Sequence, residues 1–379
     1  MMAENPLLLL QRYGQSFWYD NISRSLLHSG ELKRMIDEEG LRGVTSNPTI
    51  FYKAIKSGTE YDEQLKELFQ KEESLSAKDI FYSLAIQDIT EACDLLLKVY
   101  NESEGDDGYV SIEVDPHLAH DTEGTIREAR ELFNKINRPN LMIKVPATPE
   151  GLPAIEELIY EGVNVNVTLL FAVLRYKEVM DVYLKGLERR MNEGKPLDRI
   201  ASVASFFVSR VDTLTDKYLE EKLRNADDET AAKIKALLGK TAVANAQIAY
   251  DAFKQAFSTD RFLQLKLKGA RIQRLLFGST STKNPSYSDI LYVQELIGPG
   301  TVNTMPDATW KAFKDHGRAE RTIDRDVDTA YKIIEEVESL GISIDEVTTK
   351  LEEEGVRLFA ESFDALLELI ERKRTELTS

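Results

Sequence analysis

Eight strand-like segments alternate with helix-period stretches over the 379 residues of the chain. A strand followed by a helix brings the next strand back in the same direction, so this alternation restricts the chain to folds built on a parallel sheet. The segments are Ser16–Asp20, Leu41–Asn47, Tyr109–Asp115, Leu141–Ala147, Val163–Thr168, Ala201–Val208, Ile272–Ser279 and Thr301–Thr304. Stretches between them, such as Thr122–Asn137 and Pro149–Tyr160, carry apolar residues at helical spacing. Eight such units close into an α/β fold, a (β/α)8 TIM barrel, more readily than they extend an open sheet.

Two connections exceed one helix. Thr59–Lys71 and Ala77–Tyr100 fill the second, ahead of the turn-like Glu102–Gly108, while Val211–Arg224 and Gly239–Gln255 fill the sixth. After the last strand the chain continues through the helix-period Glu320–Leu340 and Asp345–Lys373, expected to pack outside the barrel. No Pro/Gly/Ser-rich linker precedes them. The expectation is therefore one domain over residues 1–379, with barrel strands at about 16–304 and a helical C-terminal extension at about 305–379.

Charge and cysteine usage narrow the function classes. A formal net charge of -17 opposes a polyanion as general partner, so no nucleic acid is expected, whereas a few local cations suffice for a small phosphorylated substrate. The only cysteine, Cys93, cannot form an internal disulfide and sits on a helix face, which fits a reducing compartment. The longest apolar run near the N-terminus, Leu7–Leu10, falls short of a signal-peptide core or a membrane span. A cytoplasmic protein without a membrane partner is expected, as a monomer or a homodimer.

In a parallel barrel, side chains alternate between the interior and the helix layer, and catalytic groups stand at the carboxyl ends of strands. Val163–Thr168 puts three valines on one face and Asn164, Asn166 and Thr168 on the other. Likewise Ser111, Glu113 and Asp115 oppose Ile112 and Val114, and Met142 and Lys144 oppose Leu141, Ile143 and Val145. A strand buried on both faces is continuously apolar, so a polar face requires a reason. The first six strands end in Asp20, Asn47, Glu113, Lys144, Asn166 with Thr168, and Ser205, which should converge on one mouth. Singly, each is accounted for as a strand-end cap; six together, one of them a lysine among apolar neighbours, point to a site.

A lysine of ordinary pKa, ~10.4, is neutral in only about one molecule in a few thousand at pH 7, so a nucleophilic one must be desolvated or crowded by positive charge. Burial of the Asn140–Ala147 stretch provides the first condition. A buried ion pair of Lys144 with Glu113 or Asp20 explains the same residues equally well. If Lys144 forms a Schiff base, Glu113 and Asp20 are the pair available for proton transfer, since no histidine ends a strand. His117 and His120, in DPHLAHD with Asp115 and Asp121, have the spacing of a metal site, but other clear ligands are missing and loop contacts or capping are expected instead. Neither metal nor cofactor is expected.

Four segments together carry a resemblance: Gly43–Thr49 (GVTSNPT), Ser111–Asp115 (SIEVD), Leu141–Thr148 (LMIKVPAT) and Asn164–Phe171 (NVNVTLLF). In this order and spacing they are similar to the signatures of transaldolases, and Thr280–Pro285 and Thr301–Pro306 resemble the longer bacterial subfamily. The resemblance implies that Lys144 carries a dihydroxyacetone Schiff base, that Asp20 is the acid/base at the cleaved bond, and that Glu113 acts through a water positioned by Thr168. It further implies that Asn47, Asn166 and Ser205 hold ketol hydroxyls and that Arg210 holds the phosphate of a sugar-phosphate partner. Where many transaldolases have a second phosphate-binding arginine after strand seven, this chain has Lys283, a point charge rather than a fork. For Arg210 the competing expectation is a surface salt bridge at a helix start.

Three other functions fit the same residues. A relative on the same barrel releases free dihydroxyacetone, as a fructose-6-phosphate aldolase does, and need of an aldose acceptor separates the two. A catalytically silent sugar-phosphate-binding barrel lacks any need for Asp20, Glu113 and Lys144 together. A metal-dependent aldolase would lose activity on chelation.

Overall fold

All eight segments form strands, parallel throughout and hydrogen-bonded in chain order into a closed barrel. A computed structural model describes residues 5–71 and 75–378; of the span 1–379, residues 1–4, 72–74 and 379 lie outside the described residues. The strands are β1 Gln15–Tyr19, β2 Leu41–Val44, β3 Tyr109–Glu113, β4 Leu141–Pro146, β5 Val165–Leu170, β6 Ser202–Phe207, β7 Gln273–Gly278 and β8 Thr301–Met305. Closure joins β1 to β8, in register from Gln15 opposite Thr301 to Tyr19 opposite Met305.

Two strands stop two or three residues earlier than the sequence pattern indicates. β2 ends at Val44 because Asn47 caps the helix Pro48–Ser57, accepting from Ile50 N at 3.0 Å, with Pro48 opening the helix. β3 ends at Glu113, and Asp115 caps the short turn Pro116–Leu118 instead of extending the strand.

The alternation of side chains divides the molecule into two apolar regions. Outward residues such as Phe17, Ile112, Ile143, Val165 and Val167 join the main core under the helices. Inward residues Trp18, Tyr109, Met142, Val203, Leu276 and Val302 form a separate cluster inside the barrel. Trp18, Met142, Val203 and Val302 each lie two residues before Asp20, Lys144, Ser205 and Thr304, so an apolar layer lies directly beneath the polar strand ends.

That layer is tightly closed. A Cβ on Gly43 would lie 2.5 Å from the Trp18 indole. The indole cannot simply retreat: its Nε1 donates to Asp107 Oδ1 at 2.8 Å, and Asp107 also accepts from Ser16 Oγ and faces Arg274 at 3.5 Å. Gly43→Ala is therefore expected to lower stability by about 1–3 kcal/mol. The measurement is the urea midpoint at constant slope, and an unshifted midpoint would show that the ring can yield.

The region after β8 departs in part from expectation. The helix Val327–Ser339 packs on Thr241–Ala256 at the outer wall, but the last helix, Ile344–Thr378, packs on Pro48–Ser57, Ala77–Glu102, Ser209–Leu223 and β5. It crosses the carboxyl end of the barrel because an apolar rim there needs cover: Phe363 meets Phe81 at 5.6 Å and Phe359 meets Phe207 at 6.4 Å between ring centroids. Cys93 is buried in the helix Ala77–Glu102, and burial pushes its thiol pKa up. Among the described residues no helix is long and apolar enough to cross a membrane.

Candidate active site

At the carboxyl end of the strands lies a cavity of about 200 Å³. It is lined by Asp20, Asn47, Lys144, Thr168, Ser205, Arg210 and Lys283, seven of the residues expected at the mouth or at the phosphate. A larger hollow, about 600 Å³, opens at the other end of the barrel beside Asp107 and Arg274. The smaller one is the candidate site, because ionisable groups converge there and because catalytic groups of parallel barrels stand at that end.

Lys144 is 5% exposed. Its Nζ donates to the Ser46 carbonyl at 2.9 Å, lies 3.5 Å from Glu113 Oε2, and sits 5.9 Å from the centre of the Phe359 ring. The ion pair is thus present but longer than the ~2.7–2.9 Å of a full charge-assisted hydrogen bond. Glu113 is 7% exposed, and neither carboxylate oxygen has a hydrogen-bond partner among the described residues; the buried Thr168 hydroxyl has none either. Burial pushes the Glu113 pKa up to about 6 against the pull of Lys144, with Asp20 adding to the rise. Burial raises Asp20 as well, opposed by Lys144 and by Thr45, whose hydroxyl donates to Asp20 Oδ1 at 2.7 Å.

Asn166 does not line the cavity. Its amide donates to Ser111 Oγ at 3.0 Å and accepts from Ser205 Oγ at 2.6 Å, a buried link that aims Ser205. Asn164, on the same face, stays away from the mouth: it donates to Pro139 O and Leu141 O and accepts from Ala201 N, tying together the starts of three strands. Asp115 leaves the expected face because β3 has ended, and it pairs with Lys78 and His117. His117 also meets Asp364, and His120 meets Glu150, so the two histidines serve different loop contacts.

Arg210, at the start of the helix Ser209–Leu223, is half-buried with its guanidinium 5.7 Å from the centre of the Phe207 ring. Burial lowers its pKa, and Glu354 partly offsets this. Lys283 is lowered by burial and by the nearby positive charges of Arg210 and Lys53. Three cations near one another give this rim a local positive charge in an otherwise acidic chain. The backbone at this end is also constrained: Leu169 and Ser279 hold φ of 59° and 53° without being glycine. Leu169 interrupts the β5–β6 register and packs so closely on Gly355 of the last helix that a Cβ there would meet it at 2.9 Å.

Several lining residues were not anticipated. Thr45 and Thr304 share the inward parity of Gly43 and Val302, so period-two counting would have found them. Phe359 comes from the last helix, and no local signal in the sequence connects it to the barrel mouth. Lys53, exposed on the helix Pro48–Ser57 and acting on Lys283 from outside the lining, carries no sequence mark either.

Comparison with known proteins adds an independent line. A family model described as transaldolase/fructose-6-phosphate aldolase matches residues 17–370. A protein of Trichodesmium erythraeum named transaldolase is 47% identical over 380 residues, 100% of both chains. One of Nostoc punctiforme named transaldolase 2 is 47% identical over 98% of both, and a Mycolicibacterium smegmatis transaldolase is 48% identical over 97% of both.

Proposed function

The chain belongs to the transaldolase/fructose-6-phosphate aldolase family, and from that premise we propose that it moves a dihydroxyacetone unit between phosphorylated sugars through a Schiff base on Lys144. It is a transferase of the transaldolase class, taking the unit from sedoheptulose 7-phosphate or fructose 6-phosphate to glyceraldehyde 3-phosphate or erythrose 4-phosphate, a reaction of the pentose phosphate pathway. The supporting observation is one buried amine facing the buried Glu113 carboxyl and the half-buried Asp20 carboxyl, both with raised pKa values, beneath a rim carrying Arg210 and Lys283.

In this proposal the Lys144 amine adds to the ketose C2 carbonyl, and Glu113 passes protons through a water held with Thr168 as the carbinolamine loses water. Asp20 takes the C4 hydroxyl proton, the C3–C4 bond breaks, and its electron pair moves into the iminium to leave an enamine on Lys144 and a free aldose phosphate. The acceptor aldehyde then takes up the enamine while Asp20 returns the proton, and hydrolysis of the new imine frees the product. Asn47 and Ser205 hold ketol hydroxyls, with Asn166 aiming Ser205, and Arg210 and Lys283 hold the phosphate. No cofactor or metal enters these steps. The same proposal treats residues 1–379 as one domain, because Phe359 of the extension lines the cavity, and assigns the enzyme to the cytoplasm as a monomer or homodimer acting on sugar phosphates.

The test is fructose 6-phosphate turnover with and without erythrose 4-phosphate. Turnover that requires the acceptor is expected; steady release of free dihydroxyacetone without it would assign the chain to the aldolase branch instead.

A pH dependence accompanies this assignment. Glu113, raised to about 6, is a carboxylate above that pH and a neutral acid below it. The proton-accepting form is lost as pH falls, so kcat/KM should decline on the acid side with an apparent pKa near 6. Glu113→Gln cannot titrate and should lower the plateau by about 10²–10⁴-fold while flattening this limb. An unchanged limb in Glu113→Gln would assign the titration to another group.

A further inference from the structure

The Lys144 amine faces two acceptors at unequal distance, the Ser46 main-chain carbonyl at 2.9 Å and Glu113 Oε2 at 3.5 Å. The shorter contact is to a backbone group, so its aim depends on what holds the turn that carries it. Ser46 lies beyond the last paired residues of β2 and β3, Val44 opposite Val110, and is 1% exposed. Its hydroxyl donates to the Ser111 carbonyl at 2.7 Å, tying the turn to β3 where the ladder between the two strands has stopped. The flanking residues are fixed from other sides: Thr45 N donates to Tyr19 O at 2.9 Å, and Asn47 caps the following helix. Ser111 is itself buried, and its hydroxyl accepts from Asn166, which in turn accepts from Ser205. A hydrogen-bonded belt thus passes from the end of β2 through β3 to β5 and β6, and Lys144 on β4 meets it through the Ser46 carbonyl.

Proton counting gives this carbonyl a role. A neutral amine has two N–H groups and one lone pair; after addition to a ketone and loss of water, the iminium nitrogen has a single N–H and the positive charge. An acceptor already in place for that N–H needs no reorganisation as the charge forms. It also leaves Glu113, whose carboxylate oxygens have no hydrogen-bond partner among the described residues, available to the water. An N–H turned to Glu113 instead would tie the carboxylate into a charge-assisted pair.

We infer that Ser46 is a positioning residue for the Schiff base: its hydroxyl, fixed to the Ser111 carbonyl, aims the Ser46 carbonyl at Nζ, which holds one N–H of the amine and then the single N–H of the iminium, and keeps Glu113 free for proton transfer. This rests on the proposed chemistry of Lys144. The Ser46 hydroxyl acts through the turn and the carbonyl.

Two variants test it: Ser46→Ala, which lacks the hydroxyl, and Ser46→Cys, which nearly keeps its size with a weaker donor. Ser46→Ala is expected to lower kcat/KM for fructose 6-phosphate about 10–100-fold, the scale of one hydrogen bond to a charged group, and Ser46→Cys by less. In a single turnover, the borohydride-trapped adduct on Lys144 should appear more slowly by a similar factor. The pH profile separates positioning from mere support. Glu113 is faced by Lys144 on β4 and Asp20 on β1, and Tyr82 of the helix Ala77–Glu102 donates to its main-chain carbonyl at 3.4 Å. With the Ser46 carbonyl released, the amine turns to Glu113, a closer cation favours the carboxylate, and the acid limb of kcat/KM should move to lower pH than in the parent. Parent-like kcat/KM in Ser46→Ala, or in Ser46→Cys should the alanine protein not fold, overturns the inference. A loss with the acid limb unmoved also overturns it, since the role would then be structural. A parent that forms no adduct overturns the Schiff-base reading beneath it, an outcome distinct from the other two.

Discussion

Lys144→Ala should lower kcat/KM by at least about 10⁴-fold, because the covalent route disappears with the amine and no neighbouring group can replace it. Among the described residues, the contacts of the Nζ position are with the Ser46 carbonyl, the Glu113 carboxylate and the Phe359 ring, with Asp20 close enough to feel its charge, and none of these is a nitrogen nucleophile. The fold should survive. Lys144 lies in the polar layer at the cavity and not in the apolar cluster below it, and removing the cation lets Glu113, already raised to about 6 by burial, take up a proton and remain buried as a neutral acid. Borohydride reduction with fructose 6-phosphate present, followed by peptide mass mapping, should find a three-carbon adduct on Lys144 of the parent and none in the variant. Retained turnover in a folded Lys144→Ala protein would end the Schiff-base assignment.

Asp20→Asn separates imine formation from carbon–carbon cleavage. Asparagine keeps an oxygen to accept the Thr45 hydroxyl, so the geometry at the end of β1 is preserved while the proton acceptor is lost. Turnover should fall by about 10²–10⁴-fold, the usual contribution of a positioned acid or base. Glu113 and Lys144 are untouched, so the ketose should still condense with the amine. Borohydride should then trap the whole six-carbon sugar phosphate on Lys144, where the parent yields the three-carbon fragment. If the variant yields the three-carbon adduct at the parent's rate, Asp20 is not the group that takes the hydroxyl proton; if it yields no adduct, Asp20 acts earlier, in imine formation.

Much of the site was legible because it depends on a local property. Side chains alternate along a strand whatever lies next to it, so Lys144 beside Met142, and Asn166 beside Val165 and Val167, identify inward faces from sequence alone. The same counting fails where a strand stops. Asp115 has the parity of Glu113, yet β3 ends at Glu113, Asp115 precedes Pro116, and its carboxylate turns to Lys78 and His117. Asn164 has the parity of Asn166 but sits one layer lower, where backbone donors and acceptors of neighbouring strands take up its amide. Parity tells which face a residue occupies and says nothing of its height in the barrel or of the partners available there.

The sequence by itself determined the alternation of strands and helices, the parallel barrel this requires, the inward lysine and the motifs that identify the family. Only the tertiary structure decided that the last helix crosses the mouth and brings Phe359 to within 5.9 Å of Lys144, and that Glu113 faces the amine with neither oxygen hydrogen-bonded among the described residues. The reason is physical. Periodicity follows from backbone geometry over a few residues, whereas burial, the pKa shifts that follow from it and the competition for each hydrogen-bond acceptor depend on groups hundreds of residues apart meeting in one low-dielectric space.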